Sequence, residues 1–231
     1  MKNSVTETLI RLEKEIRERL DPLGFQNGED GAFQTGHIPH VAPFAYLCTR
    51  YAGLNEKEIS AAEEEAERYI PQPYREFLCH MNGAWLLGIS LHGSIGTSAN
   101  RSGVGIGQPI SIWYQNAVER PEYIPEGHLG IGAINGDYYS QGHLYLTSTG
   151  EVELYNANAD IIGARWSSIQ EFLTLEVTRR FDFYDESGRE IEGSKLLPGN
   201  TDEWERLAAI EDGDEQAPSF RKTILNLFCK D

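Results

Sequence analysis

Four groupings in this 231-residue chain hold residue types that could do chemistry. Glu151 and Glu153 fall two apart in an alternating stretch. On a strand that puts both carboxylates on one face, about 6.6 Å apart along a rise of ~3.3 Å per residue. The spacing suits a glycosidase pair, but no aromatic sugar platform accompanies it. His37 and His40 flank Ile38-Pro39, offering two imidazoles to a metal without a nearby Cys, Asp or third His, too few for a zinc site. Cys79 and His80 are neighbours, and on a helix neighbours point about 100° apart, so they form no nucleophile–base pair. Gly103, Gly105 and Gly107, then Gly130, Gly132 and Gly136, suggest a phosphate cradle. Neither run has G-x-G-x-x-G between a strand and a helix, nor a G-K-[ST]. His92, His128 and His143 show no pairing in sequence, and Glu63, Glu64, Glu65 and Glu67 lie on the wet side of a helix. This reading assigns no catalytic residue, no cofactor and no metal ligand.

The elements that would position such groups are legible in part. The stretch Ile70-Pro-Gln-Pro-Tyr-Arg-Glu-Phe-Leu-Cys-His-Met-Asn-Gly83 organises the rest. Tyr74, Phe77, Leu78 and Met81 recur at helical spacing, Pro71 and Pro73 block a helix from upstream, and Asn82-Gly83 supplies a helix stop. Residues 85–91 then read as a strand. Upstream, Val5, Leu9, Leu12, Ile16 and Leu20 form a helical stripe opened by a Ser4/Glu7 capping box. Glu13/Arg17 and Glu15/Arg19 are spaced as i,i+4 ion pairs. Residues 24–43 read as a loop and 44–51 as a short helix. Asn55 with Glu58 caps a second helix, whose stripe is Ile59, Ala62, Ala66, Tyr69 and Ile70.

Downstream, residues 93–107 are a Gly/Ser-rich loop, while 110–114 and 129–134 read as strands, the latter ended by Asn135-Gly136. Residues 143–147 and 152–155 make a hairpin around Gly150, with Leu144, Leu146, Val152 and Leu154 on its apolar face. Ser167, or Ser168 with Glu171, caps a helix that turns Ile169, Phe172, Leu173 and Val177 inward. Phe181 and Phe183 suggest a last strand, turning near Gly188. Residues 203–210 and 219–229 read as terminal helices around an acidic linker, 211–215. Helices, then grouped strands, then helices indicate an α+β fold with a mainly antiparallel, bent sheet flanked by helices.

A formal charge of −16 argues against nucleic-acid binding, which wants a basic footprint. It suits capture of a basic partner as well as plain solubility. No signal-peptide pattern opens the chain and no apolar run approaches the ~18 residues that span a bilayer. Three cysteines, odd in number and without CxxC spacing, suggest a reduced, cytoplasmic protein.

Glu67-Arg68-Tyr69-Ile70-Pro71, then Tyr74-Arg75-Glu76-Phe77-Leu78, then Asn82-Gly83 resembles the signature of the SUKH superfamily. That group holds fungal cell-wall assembly (glucan synthesis) regulators and bacterial immunity proteins. Ile131-Gly132, Gly136-Asp137, the hairpin through Gly150 and residues 166–173 resemble its later motifs, in order. The resemblance covers about residues 55–177. It suggests a single domain, 1–231, with a SUKH-like core at about 55–184 and helical extensions at 1–54 and 185–231. Residues 138–142 look inserted. The family carries no settled catalytic residues, so none is transferred.

The resemblance implies a non-catalytic, protein-binding module: an immunity-type protein that sequesters a toxin domain, of a basic, nuclease type to judge by the charge. Trp113, Tyr114, the insert (Asp137, Tyr138, Tyr139) and the hairpin's polar face (Tyr145, Glu151, Glu153, Tyr155) combine aromatics with carboxylates, as interface anchors do; the same aromatics could equally serve core or sheet packing. The alternatives are a regulatory scaffold akin to the fungal members and an enzyme acting on a small substrate.

Overall fold

The computed structural model describes residues 4–95, 102–103, 105–135, 141–156, 160–192 and 197–199. Nine strands lie side by side in chain order, and every neighbouring pair is antiparallel. They are β1 (Phe25–Asn27), β2 (Phe33–His37), β3 (Tyr46–Ala52), β4 (Met81–Leu86), β5 (Ile89–Leu91), β6 (Leu129–Asn135), β7 (Gln141–Leu146), β8 (Val152–Asn156) and β9 (Ile162–Trp166). The α+β class and the bent antiparallel sheet are therefore as expected.

Cross-strand register sorts the side chains onto two faces. Cys48, Leu86, Ile89 and Ile134 stand opposite one another on one face. They share a core with the inward stripes of helices α1 (Val5–Leu20), α2 (Glu56–Ala66), α3 (Gln72–His80) and α4 (Ile169–Phe181). Thr49, Trp85, Ser90, Ala133, His143 and Tyr155 make the matching row on the other face.

The helix caps follow the residue types. Ser4 with Glu7 and Asn55 with Glu58 close both bonds of a capping box. Ser168 accepts from the Glu171 amide, while the Glu171 carboxylate takes the Ser167 amide and hydroxyl. Glu15 pairs with Arg19 at 3.0 Å. Glu13 turns away from Arg17 to Arg50 at 2.6 Å and His80 at 2.9 Å. Arg50 also donates to the Gly31 and His80 carbonyls, so one guanidinium ties α1, α3 and the β1–β2 turn together.

Several expectations are corrected. Residues 24–43 hold β1 and β2, and 44–51 is β3 rather than a helix; the stretch before 55 thus supplies three of the nine strands. Short windows of mixed polarity leave the period open, and ladder pairing with β2 and β4 decides it. Asn82-Gly83 does not stop α3, since Met81 is already extended and β4 begins there. Residues 85–91 contain a hairpin whose turn, Leu87-Gly88, takes φ of 52° and 86°, the turn that matches strand twist. Residues 110–114 are no strand. Ser111 bridges Gly93, Ile112 and Trp113 are helical, and Tyr114–Val118 is a π-helical turn. Phe181 ends α4, and past it Tyr184 bridges Glu190 around Gly188. The stripe of α2 ends at Ala66, leaving Tyr69 exposed while Ile70 is buried. The segments 203–210, 211–215 and 219–229 lie outside the described residues.

Candidate functional site: a clamped aromatic turn beside an acidic helix end

The motif residues of α3 and β4 are committed to backbone. Tyr74 is buried in α3, and its hydroxyl donates to the His92 carbonyl at 2.6 Å with the Ile131 carbonyl at 3.0 Å. The Asn82 amide closes both bonds with Ser94, donating to its carbonyl and accepting from its N–H, each at 2.8 Å. A side chain at Gly83 would place Cβ 2.8 Å from the Leu91 carbonyl oxygen, and its φ of 81° suits glycine. These groups hold the chain where it leaves β5. Glu65 of α2 then takes the Ser94 hydroxyl at 3.0 Å and the Ser111 hydroxyl at 3.2 Å, pinning both ends of the segment that runs between them.

Directly after Ser111 comes the π turn, fastened to β6 by two buried amides. Gln115 donates to the Gly132 carbonyl at 3.1 Å and to the Leu144 carbonyl at 3.3 Å, and accepts from the Gly132 N–H at 2.9 Å. Asn116 donates to the Ile112 and Gly130 carbonyls at 2.9 and 2.8 Å and accepts from the Gly130 N–H at 2.8 Å. Between Gly130 and Gly132 the β6–β7 register shifts, which frees these backbone groups. The amides act as a substitute strand. Gly130 has to be glycine, because a Cβ would lie 2.7 Å from the Gln115 amide carbon.

With Gln115 and Asn116 turned inward, Trp113 and Tyr114 are turned outward. They are 39% and 45% exposed, their rings 6.4 Å apart and edge to face. Val118 is exposed beside them. The charge of Glu119, and then its hydrogen bond, raise the Tyr114 hydroxyl above its ordinary range, placing a carboxylate at the edge of the aromatic pair. Trp113 N–H donates to the Ser111 hydroxyl at 3.2 Å, which joins the pair to Glu65 and the end of α2. Arg68 and Arg120 donate to the consecutive carbonyls of Glu126 and Pro125, at 2.9 and 2.6 Å, locking the following loop to the same helix end.

The hairpin residues fall differently. Leu144, Leu146, Val152 and Leu154 face the core, as their alternation predicts. The opposite face is also packed: Tyr145, Glu153 and Tyr155 are buried, with Ile124 and the Tyr145–Tyr155 edge-to-face contact forming a second small core. Glu153 is a hub, taking Arg165 at 2.8 Å, and Tyr155 and His128 at 3.1 Å each. Burial pushes both tyrosine hydroxyls up to about 12. Of the hairpin group only Glu151 is exposed, its carboxylate accepting from Thr149 at 2.9 Å. Asp137, Tyr138 and Tyr139 lie outside the described residues. The structure thus brings Trp113 and Tyr114 to the exterior and sets Tyr145, Glu153 and Tyr155 beneath the surface. Gln115 and Asn116 were not singled out from sequence; a Gln-Asn pair after two aromatics is a signal only once glycines in a distant strand are known to need acceptors and donors.

The other chemical groupings resolve into structural contacts. His37 Nε2 is bonded to the Pro43 carbonyl at 3.0 Å, its ring against Tyr46. Cys79 meets Glu56 at 3.7 Å while His80 meets Glu13, and burial followed by Glu56 raises the Cys79 thiol above its usual range. Both oxygens of Glu153 are taken. Among the described residues no three His, Cys, Asp or Glu side chains gather as metal ligands, and no helix is long and apolar enough to cross a membrane.

A meander sheet with helices packed on one face, motif side chains spent on holding backbone, and aromatics displayed on a braced turn define an α+β scaffold of the SUKH type. The chain belongs to the SMI1 / KNR4 family (SUKH-1), whose model matches residues 53–175. Membership supports a non-enzymatic role of the immunity or regulator kind. No curated protein matches the chain.

Proposed function

We propose that this protein is an immunity-type binding module that sequesters a toxin domain and makes or breaks no bond itself. The observation that supports it most directly is the outward display of Trp113 and Tyr114 on a turn that buried amides hold rigid. An exposed tryptophan beside a tyrosine on a pre-organised element is what an interface anchor requires, because little side-chain or loop freedom is left to lose on docking. The charge of −16 supports a basic partner, such as a nuclease whose active site an acidic surface can cover.

The experiment is co-expression and pull-down with the product of the neighbouring gene, followed by an assay of that product's toxicity. A tight, stoichiometric complex that abolishes toxicity supports the reading. A neighbour with no toxin-like activity, or one that fails to bind, removes it.

A further inference from the structure

Resting on the binding role proposed above, the geometry points to a particular contact strip and to the chemistry of what it receives. We infer that the π turn and the C-terminal end of α2 together bind a segment of protein that presents lysine or arginine beside an apolar side chain. Three observations carry this. The two elements are physically joined, since Glu65 and Trp113 N–H share the Ser111 hydroxyl, and Arg68 and Arg120 fasten onto one turn. Both elements expose apolar groups: Trp113, Tyr114 and Val118 are exposed on the turn, and Tyr69, just past α2, is 72% exposed.

Its charge is one-sided. Positions 64–69 and 110–126 hold six carboxylates (Glu64, Glu65, Glu67, Glu119, Glu122, Glu126) and two guanidiniums. Both guanidiniums lend an arm to a backbone carbonyl. Aromatic faces with a carboxylate beside them, as Glu119 is beside Tyr114, attract cationic side chains twice over, through the ring quadrupole and through Coulomb attraction. An acidic segment would meet repulsion from the same surface.

The test uses the full chain and two synthetic helical peptides, one of lysine and leucine, the other of glutamate and leucine, followed by amide chemical-shift mapping and titration. The lysine peptide is expected to perturb amides within 64–69 and 111–119, and added salt to weaken it. The glutamate peptide is expected to do neither. The double variant W113A/Y114A should weaken the lysine peptide by roughly tenfold or more. Phe44→Ser, which removes the most exposed apolar ring among the described residues (89%), at the β2–β3 hairpin, should leave binding unchanged. Perturbation confined to other surfaces, equal binding of both peptides, or indifference to W113A/Y114A overturns the strip. Capture at the strip with no toxin in the neighbouring gene would leave the strip standing and remove the immunity role. A toxin bound equally by the wild type and W113A/Y114A would do the reverse.

Discussion

Gln115 and Gly132 exchange a reciprocal pair of hydrogen bonds, side-chain amide to backbone peptide, across seventeen residues of chain. A side chain here does the work that a neighbouring strand does elsewhere in the sheet, and the π turn exists where it does because of it. π-helical turns concentrate at functional sites. This one sets two aromatic rings facing outward, while Ile112 at its start lies in the core that the helices share.

Replacing Gln115 with alanine leaves the Gly132 N–H and carbonyl buried without their partner. Stranding buried backbone groups costs about 1–3 kcal/mol each, so Gln115→Ala, which strands two, is expected to destabilise the fold by about 2–6 kcal/mol. Urea unfolding measures this. The change should also loosen the turn, visible as faster amide exchange over residues 112–118.

His92 contributes to the acid limb of stability. It is buried, its pKa is lowered to about 3 by desolvation and then by the charge of His143, and the ordinary value is 6.5. The folded state keeps this imidazole neutral while the unfolded chain protonates it. Between about pH 6.5 and 3 the unfolded state therefore binds more protons, and stability falls as pH falls. One such proton gives a slope of about 1.4 kcal/mol per pH unit. His143 is shifted the same way by burial and adds to it. His92→Phe should flatten this limb in urea unfolding across that window, whatever it does to stability at neutral pH.

Arg180 is 1% exposed and donates from Nη1 to the Leu87 carbonyl at 3.0 Å, with the Phe183 ring 5.4 Å away. Leu87 holds a positive φ that a branched side chain resists, so the guanidinium braces the β4–β5 turn. Arg180→Ala is expected to cost about 3 kcal/mol or more, combining a cavity with a lost buried charge-assisted bond. Arg180→Lys should recover little of it, because an ammonium lacks the planar fork. Thermal unfolding of the two variants decides the matter.

Tyr145 and Tyr155 should ionise late. Both stand near 12, chiefly through burial, and for Tyr155 the Glu153 carboxylate adds to it. An ultraviolet titration that follows the two rings individually is expected to show both ionising well above pH 10, the ordinary value, as buried Tyr74 also should. Glu153→Gln should bring one of them down and leave the other in place. A titration in which both move together would contradict the separate causes.

The helices were readable because their signals are local. Ser4/Glu7, Asn55/Glu58 and the Tyr74-Phe77-Leu78 spacing act within one or two turns, and the corresponding caps and burial follow. The Leu144/Leu146/Val152/Leu154 alternation placed β7 and β8 for the same reason. Strands β1 to β3 escaped notice because short, mixed-polarity segments become strands only when a neighbour accepts their hydrogen bonds. Trp113 and Tyr114 were identified by residue type, but their element was misread, since a π turn is held by partners in β6 that lie beyond any local window.

Residue order alone determined the helix starts at Ser4, Asn55 and Ser168, the apolar face of the β7–β8 hairpin, the acidic balance and the family signature, all of them properties of near neighbours or of composition. Tertiary structure decided which aromatics meet solvent. Tyr145 and Tyr155 alternate in sequence as surface residues would, yet the loop carrying Ile124 covers them. Trp113 and Tyr114 are left uncovered because Gln115 and Asn116 spend the inward side of their turn on the backbone of a distant strand. Burial depends on what packs from elsewhere in the chain, and no pattern confined to one segment records that.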